Sequence, residues 1–141
     1  PVWNAVARGI FFFFYQGHRQ AHFKRAILEG IGFSFRLLLE KLEKAGGEID
    51  KIYASGGFIQ SAWWVQLMSD ILRKPLLVDK ADADASAMGA IAIGLRAEGL
   101  ISSWPEFATL VERAYTIYFP DDRSKEIYDS NYQHYNRLCQ F

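Results

Sequence analysis

An α/β fold with parallel strands is what this sequence predicts, and three observations carry it. Helix-periodic segments and short β-branched or aromatic runs alternate in the order helix, strand, helix, strand, helix. The connections between them are short, as in crossover units that lay parallel strands side by side. The junction between the run "EIDKIYAS" and the next helix is a small-residue loop with two adjacent glycines, "SGGF". At 141 residues, half of them hydrophobic and 16% aromatic, the chain is long enough for one domain with a real core.

The elements follow in order. "RGIFFFFY", Arg8 to Tyr15, is a continuous apolar run between Gly9 and Gly17. Its length and aromatic content predict a strand buried on both faces; left uncovered, such a run is an aggregation hazard. From His18 to Ala45 the period becomes 3.6, with Ile27, Ile31, Phe35, Leu38 and Leu42 at steps of four, four, three and four. Phe23, Ala26, Phe33 and Leu37 widen the arc, which predicts a long, mostly buried helix. Gly30 and Gly32 suggest close approach by another backbone, and Ala45 to Gly47 supply a stop. "EIDKIYAS" reads as a short strand. After the glycine loop, Ser61 is placed to cap a helix whose apolar face holds Trp64, Leu67, Met68 and Ile71, with Trp63 beside it. Leu76 to Val78 form a second strand. Asp82 or Asp84 is placed to cap a helix from about Ala85 to Glu98, stopped by Gly99; its small residues suit close packing against a neighbour. Residues 121–141 form the terminal helical segment, with Tyr128, Tyr132, Tyr135 and Leu138 as its stripe.

Sixteen basic residues balance sixteen acidic ones, which removes the electrostatic reason to expect nucleic acid or an anionic membrane as partner. The longest apolar run is too short to span a bilayer and has no leader-peptide flanks. The lone Cys139 makes no internal disulfide and has no His or Asp constellation around it, so it reads as a structural residue of a cytoplasmic protein.

The glycine loop, Ser55 to Ser61, lies where open α/β sheets bind ligands, at the carboxyl end of a strand. Glycines let a phosphate or flat ring touch the backbone, and the following helix aims its free N–H groups at the same place. An ordinary strand-to-helix turn is the alternative, since the loop is neither a Walker A sequence nor a GxGxxG fingerprint. His18 and His22 have the i, i+4 spacing of a zinc pair. "HRQAH" lacks the adjacent Glu and any further ligand, so they read as helix-start residues and no metal ligands are assigned. Glu29 in an apolar helix calls for a structural salt bridge to Arg8 or Arg25. "DKADADAS" lacks the Gly and terminal Glu of a calcium loop and reads as capping. The tryptophan pair reads as core.

Several segments together resemble the C-terminal part of the FGGY family of carbohydrate kinases. "ASGGFIQSAWWVQLMSDILRKPLLV" carries the glycine loop followed by Ser, Trp, Gln and Asp on a helix, here Gly56, Gly57, Ser61, Trp64, Gln66 and Asp70. "ADASAMGAIAIG" is similar to the family's small-residue helix through Ala85, Ser86, Ala87, Gly89 and Ala90. At the front, Arg8, Gly9, His18, Arg25, Ala26, Glu29 and Gly30 match the family's "ARG … GH … RA-LEG" segment, and the Tyr-rich tail is similar too. The resemblance covers nearly the whole chain. It implies an actin-like, ribonuclease-H-like fold, with residues 1–141 as the latter part of the ATP-binding C-terminal lobe.

The same resemblance makes the glycine loop an adenosine motif. Gly56 and Gly57 would lie against the ribose and phosphates; Phe58, Gln60 and Ser61 would lie near the adenine. ATP and Mg²⁺ are the implied cofactors, and a sugar or sugar acid is the substrate. Gly-Gly-Phe looks most like the gluconate kinases of the family, which points to gluconate, with xylulose or another pentulose as alternative. Phe13 stands where many relatives have Gly. The catalytic aspartate and the phosphate loops belong to segments that these residues do not match, so no catalytic residue is assigned here and Pro1 is expected to open a piece of a longer kinase. A piece of this kind would be inactive alone and inclined to self-associate, as a homodimer for example. The rival reading is a non-catalytic actin-like nucleotide-binding or interaction domain.

Overall fold

The computed structural model describes residues 8–79, 85–111 and 113–138. Eight elements follow one another: α1 (Gln20–Gly46), β1 (Ile52–Ala54), α2 (Ala62–Leu72), β2 (Leu76–Asp79), α3 (Ala85–Ala97), α4 (Trp104–Leu110), β3 (Tyr115–Tyr118) and α5 (Lys125–Leu138). The sheet order is β1-β2-β3. β1 and β2 are parallel, with Ala54 opposite Val78, as the short crossover through α2 predicts. β3 runs antiparallel to β2, with Asp79 opposite Tyr115.

β2 is the central strand, and Leu76, Leu77 and Val78 are all buried, as expected where both faces are covered. One core cluster joins Leu39 of α1, Ala54 of β1, Val65, Met68 and Leu72 of α2, and Leu76 and Val78 of β2. A second joins Phe33 of α1 to Leu67 and Ile71 of α2 and Tyr128 and Tyr132 of α5. α2 is therefore the hub. Seven of its eleven residues are buried, so it is enclosed by α1, α5 and the sheet. Polar groups lock the hub in place. Asp70 Oδ1 accepts from Gln66 Nε2 and from the Asp121 backbone N–H, both at 2.8 Å. Ser69 Oγ lies 2.9 and 2.8 Å from the carbonyls of Lys74 and Tyr118, so its one proton serves either.

Several expectations are met. α1 stops at Gly47, whose φ of 93° lies in the left-handed region. Gly32 does meet a close neighbour, though a side chain and not the backbone expected: a Cβ there would stand 2.7 Å from Ile71 Cδ1 of α2. Arg25 Nε bonds Glu29 Oε1 at 2.8 Å, the expected structural ion pair, between a half-buried carboxylate and an exposed guanidinium.

Others are corrected. "RGIFFFFY" is not a strand. It pairs with no strand among the described residues, and an apolar run without a ladder partner has nothing to satisfy its backbone groups in extended form. It bends at Phe13, with φ of 58°, and lays Phe11 and Phe14 against the ring of Phe23. The long helix is not mostly buried: it packs with Gly32, Phe33 and Leu39, while the stripe from Ile27 to Leu42 faces solvent. At Gly30 a Cβ meets nothing within 4 Å among the described residues, so none of them approaches it closely. α3 is largely exposed, and Gly89 and Gly94 likewise meet nothing within 4 Å, so its small residues have no close neighbour among the described residues. Trp63 is exposed, whereas Trp64 is half-buried between the two core clusters. α4 and β3 are additional elements. Their signals are legible in hindsight: Ser103 caps α4 by accepting from Glu106 N–H with Pro at the helix start, and "YTIY" is a β-branched and aromatic run. The acidic segment with Asp82 and Asp84, and Cys139, lie outside the described residues.

Candidate functional site

The glycine loop is held at both ends. β1 closes on buried Ala54, and Ser55 turns outward. Gly56 takes φ 94° and ψ 178°, a conformation open in practice to glycine alone. A 3-10 turn then covers Gly57–Gln60, closed by bonds from Ile59 N–H to the Gly56 carbonyl and from Ser61 N–H to the Phe58 carbonyl, both 3.1 Å. Phe58 and Ile59 pin the turn to the core, Phe58 meeting Trp64 edge-on at 5.8 Å between ring centroids. Ser61 caps α2 as expected, its Oγ accepting from Trp64 N–H at 3.4 Å.

The two glycines do different work. Gly56 is required by its backbone angle. Gly57 has no positive φ, and a Cβ at either glycine would meet nothing within 4 Å. Neither conformation nor crowding within the described residues explains Gly57. What remains is a bare backbone surface beside the start of α2, where the first-turn N–H groups lack intrahelical partners and favour negative charge. Of the five residues expected at a nucleotide, Gly56, Gly57 and Ser61 are exposed and contiguous, and Gln60 is exposed beside them. Phe58 is half-buried and acts first as an anchor. Trp63, read as core from the sequence, stands exposed on the first turn of α2 and adds a flat apolar surface next to the loop. No local signal distinguishes it from Trp64, because which indole faces inward is decided by how α2 packs.

The histidines serve the start of α1. His22 Nδ1 accepts from Arg19 N–H at 2.9 Å and His18 Nδ1 from Tyr15 N–H at 3.3 Å. Among the described residues no group of three or more His, Cys, Asp or Glu is placed to hold a metal ion, and no helix is long and apolar enough to cross a membrane. The titratable groups with displaced pKa lie away from the loop. Tyr128 is pushed up by burial, against an opposing bond from Arg25 at 2.9 Å. Glu43 is held below its usual range by the bond to Lys74.

Residues 1–98 match the model of the C-terminal domain of the FGGY family of carbohydrate kinases. The chain belongs to the FGGY family. It is 34% identical to the gluconokinase of Bacillus subtilis (strain 168) over 127 residues, which is 89% of this chain and 25% of that protein. The ligand-bound xylulose kinase of Lactobacillus acidophilus superposes with a TM-score of 0.86 at 27% identity, over 98% of this chain and 28% of that one. The gluconate kinase of Lactobacillus acidophilus gives 0.83 at 27% identity, over 96% of this chain and 27% of that one. This chain therefore spans about a quarter of the length of the FGGY relatives it matches. Its fold is the actin-like ATPase fold of those kinases. α4, β3 and α5 lie beyond the family-model match, yet the superposition with the xylulose kinase extends over nearly all of the chain.

Proposed function

We propose that this chain supplies the adenosine-binding part of a carbohydrate kinase that moves the γ-phosphoryl group of ATP to a hydroxyl of a sugar or sugar acid. Gluconate is the first candidate substrate, supported by the Gly-Gly-Phe loop and by the gluconokinase of Bacillus subtilis among its relatives. Xylulose or another pentulose is the second, supported by the likeness to the xylulose kinase. The observation that carries the reading is Gly57, a glycine that neither backbone angle nor packing requires, on a bare surface at a helix start.

Each residue then has a task. Gly56 holds the angle that turns the backbone across the end of β1. Gly57 lets the ribose and phosphate side of the nucleotide lie on the backbone. Phe58 fixes the turn to the core. Gln60 and Ser61 offer hydrogen bonds beside the adenine, and the start of α2 offers N–H groups and its dipole to negative charge. Mg²⁺ bound to the phosphates would neutralise charge as it builds during transfer. Positioning and charge stabilisation are the main demands of phosphoryl transfer, and this chain meets the positioning half for the nucleotide. No residue here is assigned as the base that takes the sugar hydroxyl's proton. A cytoplasmic setting suits ATP as the donor.

Calorimetric titration with MgATP, on this chain and on its Gly57→Val variant, tests the proposal. Binding that is lost in the variant, with melting unchanged, supports it. Binding that survives Gly57→Val, or a folded chain that binds no MgATP at millimolar concentration, overturns the assignment of the loop.

A further inference from the structure

Two histidines at the start of α1 use the same ring nitrogen for the same purpose. His22, in the first turn of α1, accepts from the Arg19 backbone N–H through Nδ1 at 2.9 Å. This is the place where Glu or Gln closes a capping box. His18 repeats the arrangement one turn earlier. Its Nδ1 lies 3.3 Å from the Tyr15 N–H, and its own backbone N–H donates to the Tyr15 carbonyl at 3.1 Å. The same turns carry the aromatic segment. Tyr15 and Phe14 lie against the His18 ring at 4.2 and 5.9 Å between centroids, and Phe14 and Phe11 lie against Phe23 at 5.3 and 5.2 Å. His22 is exposed and His18 half-buried, so solvent protons reach both rings.

A neutral imidazole that accepts at Nδ1 holds its proton on Nε2, so neither ring offers a lone pair to a metal in this state, despite the i, i+4 spacing. Protonation places a second N–H at Nδ1, and each bond then becomes two donors facing each other. Little nearby compensates the added charge. The two rings are 5.4 Å apart between centroids, α1 has no acidic residue in its first turn, and a helix start presents its positive dipole end. The titratable and charged groups around the pair are Arg8 and Tyr15 on the aromatic segment, Arg19 between the two in sequence, and Lys24 and Arg25 further along α1. From α5, His134 meets the segment at Phe13, 5.5 Å between ring centroids. The first carboxylate of α1, Glu29, is engaged by Arg25 at 2.8 Å.

We propose that His18 and His22 form a pH-sensitive clasp: as neutral imidazoles they fasten residues 8–17 to the start of α1, and as imidazolium ions they release them. Histidine in ordinary surroundings titrates near about pH 6.5, so the clasp closes above that range and opens below it. With two protons taken up on release, the ratio of docked to free segment falls by up to about 100-fold per pH unit. The clasp uses no residue of the glycine loop and is independent of the adenosine reading.

An NMR titration of the 141-residue chain from about pH 8 to about pH 5 tests the clasp. Beside it stands the double variant His18→Gln/His22→Gln, whose amide oxygens accept the same N–H bonds and do not titrate. In the parent, the Tyr15 and Arg19 amide signals should shift with the same midpoints as the Cε1–H signals of His18 and His22. The Phe11–Phe23 and Phe14–Phe23 cross-peaks should weaken by roughly tenfold or more at the acid end, while the Phe33–Tyr132 cross-peak of the second core cluster persists. In the double variant the Phe11–Phe23 and Phe14–Phe23 cross-peaks should survive acid. His134 is present in both proteins, so a difference between them belongs to the pair. Cross-peaks to Phe23 that persist in the acidified parent, or that are absent from it at the alkaline end, overturn the proposal. Their absence from both acidified proteins overturns it too, as does simultaneous loss of the Phe33–Tyr132 cross-peak. Ring nitrogen shifts that put the proton of the neutral imidazoles on Nδ1 would also sink it.

Discussion

Replacing Gly32 by alanine should destabilise the protein, while the same change at Gly30, two residues away on α1, should stabilise it. Both positions are interior to a helix, where alanine is favoured over glycine by about 1 kcal/mol. They differ in what a Cβ meets. At Gly30 there is nothing within 4 Å, so the full gain of about 1 kcal/mol is expected. At Gly32 the Cβ would stand 2.7 Å from Ile71 Cδ1, 3.3 Å from Ile71 Cγ2 and 3.5 Å from Met68 Sδ. Ile71 is fully buried in the second core cluster, so its side chain has no free space to retreat into. Overpacking of this kind costs about 1–3 kcal/mol, which exceeds the helix gain and leaves a net loss of about 1 kcal/mol. The two variants should therefore straddle the parent in urea denaturation, separated by about 2 kcal/mol or, for a chain of this size, several degrees in Tm. Ile71→Val removes the offending Cδ1 at a cost of about 0.5–1.5 kcal/mol. In that background Gly32→Ala should lose most of its penalty, giving a coupling of about 1 kcal/mol in the double-mutant cycle. Equal stabilisation by Gly30→Ala and Gly32→Ala would refute the packing of α1 on α2 described above.

Three further outcomes are expected. Gly56→Ala should cost about 1–3 kcal/mol in chemical denaturation because of its backbone angle, whereas Gly57→Ala should change stability by less than about 0.5 kcal/mol; equal losses would contradict the division of labour in the loop. Phe13→Gly should leave stability unchanged or raise it by up to about 1 kcal/mol, because Phe13 sits at φ 58° and is 75% exposed, and glycine relieves the left-handed strain; a loss above 1 kcal/mol in the same assay would mean that its edge contact with His134 matters more than the strain. Tyr128 has a hydroxyl raised above 10.0, first by burial, so the unfolded chain releases that proton earlier and stability should fall as pH climbs past 10. Tyr128→Phe should flatten that alkaline limb in melting curves, and an unchanged slope would count against the buried hydroxyl.

Much of the fold is legible in the sequence. Period and punctuation sufficed for α1, α2, β1 and β2, because each is a local pattern bounded by glycines or a cap: Gly47, Ser61 and Gly56 are where their chemistry says. From the glycines alone the loop reads equally as an ordinary strand-to-helix turn, and it is the resemblance to the FGGY family that makes it a place of backbone access. What was not legible is partnership. "RGIFFFFY" has the composition of a strand, yet a strand exists through a ladder, and no described strand pairs with it. Ile27 to Leu42 have the period of a core face, yet period says which residues share a face and not whether anything lies against it. The inward choice of Trp64 over Trp63 and the antiparallel seating of β3 on β2 depend on the same missing information. The sequence alone determined α1, β1, α2 and β2 and the glycine pair at Gly56 and Gly57, because these follow from short-range sterics and spacing, and its ordered motifs carried the resemblance to the FGGY family. Tertiary structure decided which apolar faces were buried and which were left open, because burial belongs to pairs of surfaces and is carried by neither surface alone.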